Sequence, residues 1–156
     1  MSGERTAEWI REYPQRPIVG VAGIVVEGSR VLLVRRGRPP AVGAWSLPGG
    51  ALRVGERLMD GVAREVLEET GVRVVVTEQV ATLDRVVHDA AGDVQFHYVL
   101  LDWLCHVEGD SEEPRAGDDV TDARWVEREH LRAMDGLDDV AIELIERVME
   151  RERSRT

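Results

Sequence analysis

Four glutamates stand in one short segment of this chain: Glu56, Glu65, Glu68 and Glu69, between Gly50 and Val72. Like charges this close repel one another on a helix surface, so their company asks for a cation. Hard oxygen donors, with neither Cys nor clustered His beside them, suit Mg2+ or Mn2+ and suit zinc poorly. Such a cation commonly serves the chemistry of phosphates and diphosphates.

The residues around the glutamates predict how they are held. Leu58 to Thr70 reads as a helix, and Gly71 stands where a left-handed cap would end it. At about 100° per residue, Glu69 lies roughly 40° from Glu65 and Glu68 roughly 60° to the other side, so the three share one face. Met59, Val62, Ala63, Val66 and Thr70 fall on the flank that a core would cover. Arg64 precedes Glu68 by one helical turn, a spacing at which a guanidinium can orient a carboxylate. Glu56 lies just ahead of the helix, where a loop could return it to the same site. An acidic helix face is ordinarily just solvated. Pro48-Gly49-Gly50, Glu56, Arg64 and Gly71-Val72 at fixed offsets from it point instead to a built site.

This segment resembles the Nudix box, G-x5-E-x7-R-E-U-x-E-E-x-G-U with U aliphatic, and it matches every specified position from Gly50 to Val72. The resemblance implies an α/β fold, an α/β/α sandwich with a mixed β-sheet and a catalytic loop-helix-loop. It implies a hydrolase of a nucleoside diphosphate linked to another moiety, with Mg2+ or Mn2+ as cofactor. On these positions Glu65 and Glu69 become the principal metal ligands and Glu68 a further ligand or the base. The Gly50 carbonyl and Glu56 become supporting members, and Arg64 orients the glutamates. Relatives of this kind often carry a Glu near Asp119 that serves as ligand or base. Here Asp119 is the nearest match, with Glu112 and Glu113 as rivals in the same loop.

Charge bears on the partner. The chain carries a formal net charge of −10, which argues against polymeric nucleic acid, since that would want a basic stripe. A single nucleotide delivered with its metal is compatible with that charge, because the cation bridges two anions. No apolar run approaches a membrane span. Cys105 is alone, so no internal disulfide forms, and a reducing compartment suits it. The first residues show no targeting character, and the expected location is cytoplasmic. At 156 residues one domain is expected, residues 18–152, after an N-terminal arm of residues 1–17. Met1 to Tyr13 is expected as a frayed or short helical arm.

The remaining elements follow from alternation and punctuation. Ile18 to Val26 and Val31 to Arg35 read as a hairpin turning at Glu27-Gly28-Ser29-Arg30. Arg38 to Gly43 is a loop, since adjacent prolines exclude helix and ladder alike. Trp45-Ser46-Leu47 is a short strand leading into Pro48-Gly49-Gly50. Val72 to Val76, Val80 to Val87, Val94 to Val107 and Ala123 to Val126 are strands, with a polar loop from Gly109 to Asp119. Leu137, Ala141, Leu144, Ile145 and Val148 recur at helical spacing and predict a packed terminal helix.

Four residues outside the box are candidates for substrate binding. Arg35 and Arg36 end the second strand, and alternation sends one of them to the cleft side as a phosphate donor. Trp45 is placed either to stack on a base or to fill the core. His97 points to the face opposite Phe96 and Tyr98, as a substrate contact or an ordinary strand histidine. The box itself does not report the group attached to the diphosphate. Some ADP-ribose hydrolases carry a proline about sixteen residues past the last glycine of the box, and none stands near Val86-Val87-His88. The wider pattern nonetheless resembles bacterial ADP-ribose pyrophosphatases. The leading expectation is therefore an ADP-sugar such as ADP-ribose, cleaved to AMP and a sugar phosphate. The alternatives are a MutT-like pyrophosphohydrolase of normal or 8-oxo nucleoside triphosphates, and a non-catalytic nucleotide-sensing domain. Many family members are homodimers, so a second copy is a further candidate partner.

Overall fold

A computed structural model describes residues 11–155. Its strands are β1 (Ile18–Glu27), β2 (Arg30–Arg36), β3 (Trp45–Ser46), β4 (Gly49–Ala51), β5 (Val74–His88), β6 (Val94–Val107) and β7 (Val120–Glu127). Two helices, α1 (Leu58–Thr70) and α2 (Asp139–Ser154), and a 3-10 helix over Arg128–Ala133 complete it. The strand order is β3-β2-β1-β6-β5, with β4 added on β1 and β7 on β2.

β1 is aliphatic along most of its length because both of its faces are covered. Val21 and Val25 pack with Val62 and Val66 of α1, while Ile24 and Val26 pack with Ile145 and Val148 of α2. Alternate residues of one strand thus feed two cores. β1 also changes partner along its length. It runs parallel to β6 from Ile18 to Val25, pairs antiparallel with β4 at Gly20–Ala22, and turns into β2 at Glu27. The result is an α/β/α sandwich with a mixed sheet, as the box led us to expect.

α1 has the expected bounds. Gly71 caps it in the left-handed region (φ 73°), its N–H bonded to the Leu67 carbonyl. Val62, Val66 and Thr70 are buried, but Met59 is 41% exposed. Gly61 takes the inward place in that turn, where an added Cβ would come within 2.8 Å of Leu52 Cδ1. The two strands expected over Val72 to Val87 are one, β5. Register shifts at Val76/Glu78 and Gln79/Ala81 absorb the polar interruption, and Thr77 Oγ1 donates to the Leu104 carbonyl. β4 and the 3-10 helix are additions. β4 is two glycines and an alanine, which carry no strand signal of their own. Leu137 stands ahead of α2, whose cap is Asp138, accepting from the Val140 N–H at 2.7 Å.

The arm expected over Met1 to Tyr13 lies, through residue 10, outside the described residues. Tyr13 itself donates its N–H to the Gln95 carbonyl and its hydroxyl to Asp89. Among the described residues no helix is long and apolar enough to cross a membrane.

Candidate active site

The site is assembled around Arg64. Its Nε and Nη2 grip the two oxygens of Glu56 at 2.6 and 2.9 Å, and Nη1 donates to Glu65 at 2.7 Å. Nη2 also reaches the Ala51 carbonyl at 3.2 Å, and Nη1 reaches Glu68 at 3.3 Å. A planar fork can hold several oxygens in fixed places at once, which a lysine could not. The Arg53 N–H adds a bond to Glu56 at 3.1 Å. With Arg64 as its main partner, Glu56 has its pKa held down at about 2. Glu56 is therefore a permanently charged brace that fixes the arginine, and the arginine fixes Glu65.

Glu65 and Glu69 are 7% and 8% exposed, buried where α1 lies against β4. The Gly49 N–H donates to Glu69 at 2.8 Å. Gly50 sits so close that an added Cβ would fall 2.6 Å from the Glu65 carboxyl carbon. The 109–119 loop brings in a third acid. Arg115 and Gly117 donate their N–H groups to the Thr70 and Glu69 carbonyls, at the end of α1. Gly117 comes so near that a Cβ would meet the Glu68 carbonyl oxygen at 2.3 Å. Asp118, in the left-handed region (φ 51°), then offers an oxygen within 4.8 Å of oxygens of both Glu65 and Glu69.

These acids are poised for a cation. Burial, then the charges of Glu65 and Asp118, push Glu69 up to about 8 against the opposing Gly49 N–H bond. Burial likewise raises Glu65, with Arg64 opposing. Three hard oxygen donors, two of them on the buried carboxyls of Glu65 and Glu69, fit a divalent cation, whose charge offsets the cost of ionising those two.

The acids stand at the edge of a cleft of about 780 Å³, a volume that suits a nucleotide-sized ligand. Arg36 lines it, with Nε donating to the Pro40 carbonyl at 2.6 Å. Burial lowers the pKa of Arg36, while Glu69 opposes that shift. Arg35 does not line the cleft and donates to the Gly43 carbonyl. Alternation therefore chose the second arginine of the pair. Trp45 is 6% exposed within the α2 core, carries the Arg124 guanidinium over its ring at 5.2 Å, and also borders the cleft. His97 lies outside the cleft lining, as do Glu112 and Glu113, while Asp119 lines it and is ion-paired with Arg38. Glu68 stands apart from the three-acid cluster, held only by Arg53 at 3.4 Å and Arg64 at 3.3 Å.

Asp118, Arg85 and Asp102 are among the cleft residues that the sequence did not single out. Nothing in Gly117-Asp118-Asp119 says which aspartate turns inward, since a left-handed residue in the loop decides it. Asp102 did leave a signal, as the lone charge in the apolar run Tyr98 to Cys105.

The NUDIX domain profile matches residues 14–148. The chain is 32% identical over 115 residues to an ADP-ribose pyrophosphatase of Methanocaldococcus jannaschii, covering 74% of this chain and 64% of that protein. It is 54% identical over 61 residues to a MutT-like protein of Streptomyces ambofaciens, 38% of either chain. Both alignments span less than two thirds of the relative's length. Among solved structures, the crystal structure of a MutT NUDIX hydrolase from Burkholderia pseudomallei superposes with a TM-score of 0.69 at 28% identity, over 85% of this chain and 98% of that one.

Proposed function

Because this chain belongs to the Nudix family of hydrolases, we propose that it hydrolyses the diphosphate of ADP-ribose or a related ADP-sugar, yielding AMP and a sugar phosphate. The observation that carries the reading is the meeting of Glu65, Glu69 and Asp118 at the edge of a cleft that also holds Arg36. The relative named an ADP-ribose pyrophosphatase supports this choice of substrate.

Glu65, Glu69 and Asp118 would hold Mg2+ or Mn2+, which would neutralise charge at the diphosphate and make a bound water acidic enough to give up its proton and become the nucleophile. Arg36 binds a phosphate oxygen by a charge-assisted bond. Arg64, saturated by Glu56, Glu65 and the Ala51 carbonyl, keeps the ligand carboxylates in place while substrate enters. Asp119 is ion-paired with Arg38, whereas the contacts of Glu68 to Arg53 and Arg64 are long, at 3.4 and 3.3 Å, so Glu68, on α1 between Glu65 and Glu69 in sequence, is assigned to take the water's proton. Little remains for the protein beyond positioning and charge. The expected site of this reaction is the cytoplasm, in keeping with the single buried thiol of Cys105.

The likeness to a MutT-like protein favours a second reading, a nucleoside triphosphate pyrophosphohydrolase. Product analysis separates the two. With Mg2+ present, the chain is offered ADP-ribose, other nucleotide sugars, dinucleotides, and normal and 8-oxo triphosphates. AMP released from ADP-ribose well above all triphosphates is the expected result. Pyrophosphate released from a triphosphate would assign the second reading instead. No turnover of any compound would leave a nucleotide-sensing domain.

A further inference from the structure

Among the charged side chains of the cleft that have no task in the reaction above, one is buried. Asp102, in the middle of β6, is 5% exposed and lines the cleft, yet it makes no hydrogen bond or ion pair among the described residues. Its register neighbours are Ala22 on β1 and Ala81 on β5, so on both sides of it the sheet surface is as low as a methyl group. The carboxyl therefore sits at the bottom of a recess. The next row on that face is Gly20, Leu100 and Leu83, and Trp45 and Leu137 border the same cleft. A buried acid without a partner is costly to keep, and burial pushes this one up to about 6.

Position says what the recess receives. Ala22 pairs with Gly49 as well as with Asp102, and the Gly49 N–H holds Glu69. Asp102 thus lies two strand spacings, roughly 10 Å, from the backbone that anchors the acid cluster. That separation is on the scale of the reach from a 5′-phosphate across the ribose to the far edge of the base. The residues beside Asp102 on the sheet, Ala22, Ala81, Gly20, Leu83 and Leu100, are apolar, so a sugar polyol seated there would strand its hydroxyls. A heteroaromatic ring would not.

We propose that Asp102 reads the nucleobase, accepting a hydrogen bond from the exocyclic amine of adenine and rejecting a keto group at the same place. The assignment rests on the nucleotide-hydrolase reading for its ligand class. An ionised carboxylate only accepts, so hypoxanthine, which differs from adenine by O6 in place of the amine, sets acceptor against acceptor. A charge-assisted bond of this kind corresponds to about 10- to 100-fold in preference.

The test compares kcat/KM at pH 8 for two matched pairs, ADP-ribose with its inosine analogue and ATP with ITP, in the wild type and in Asp102→Asn. Binding of AMP and IMP is measured on the same proteins by calorimetry. The wild type should prefer adenine by about tenfold or more. Asp102→Asn, whose amide both donates and accepts, should bring the ratio to near one with its fold intact. A wild-type ratio near one overturns the proposal, as does an unchanged ratio in the variant. Where Asp102→Asn fails to fold, Asp102→Ser, smaller and neutral, replaces it, and an unchanged ratio there overturns the proposal equally. Absence of turnover with a clear AMP preference would remove the hydrolase reading and keep Asp102. Turnover without base preference would do the reverse.

Discussion

Glu69 shows how far a residue's surroundings can depart from its chemistry in water. Its carboxyl is buried beside Glu65 and Asp118, with one backbone N–H as its compensation. Its pKa is raised from 4.5 to about 8, so the metal-free fold favours the protonated form. The stability this confers is fully present below about pH 4.5, the unfolded value, and is lost as pH rises through about 8. Metal-free protein should therefore melt at steadily lower temperature as pH is raised over that window. Glu69→Gln, neutral throughout, should flatten the curve and melt higher than wild type at pH 8. The same variant should lose turnover by at least about 100-fold, since a proposed metal ligand is gone. Calorimetry across pH and a rate assay check both, and a Gln variant that unfolds would show the carboxylate to be structural. At this scale the residue types in the box disclosed Glu65 and Glu69 as a pair, but not that Glu68 would stand outside the cluster. Arg64 turned out to bind Glu56 and Glu65 more closely than Glu68.

Between residue and molecule, the 109–119 loop is the element that completes the site. It has no regular structure beyond its backbone bonds to the end of α1, and it succeeds because Gly117 lets it approach that end. Gly117→Ala should push the loop outward and carry Asp118 from Glu65 and Glu69. Mn2+ affinity should fall by about 10- to 100-fold, the usual effect of losing a supporting contact at a metal site, and titration calorimetry reads it directly. Unchanged affinity would remove Asp118 from the proposed ligand set. Elements with strong periodicity, α1 and the β1–β2 hairpin, stood where their patterns put them. β4 did not announce itself, because a two-glycine strand is defined by its partner. β5 read as two strands because its polar interruption is bridged only by pairing with β6.

The whole molecule is an anion, with a net charge of −10 and buried acids at the cleft, and the proposed substrate is an anion too. A cation bound only by the folded state should stabilise it through mass action. At about 100 times its dissociation constant, Mg2+ or Mn2+ should add about 2.7 kcal/mol, raising Tm by roughly 5 to 10 °C in a chain of this size. Chelation should reverse the shift, and no shift with any divalent cation would sink the proposed metal site. What the sequence by itself determined was the α/β class, the bounds of α1, the family, and the pairing of acids with one arginine. These depend on periodicity, capping and fixed spacing, all carried by neighbours along the chain. Only the tertiary structure decided that Asp118 joins Glu65 and Glu69, that Arg36 and not Arg35 enters the cleft, and that Asp102 lies bare between two alanines. Those facts depend on register between strands and on loops closing over distant helix ends, where no local pattern can reach.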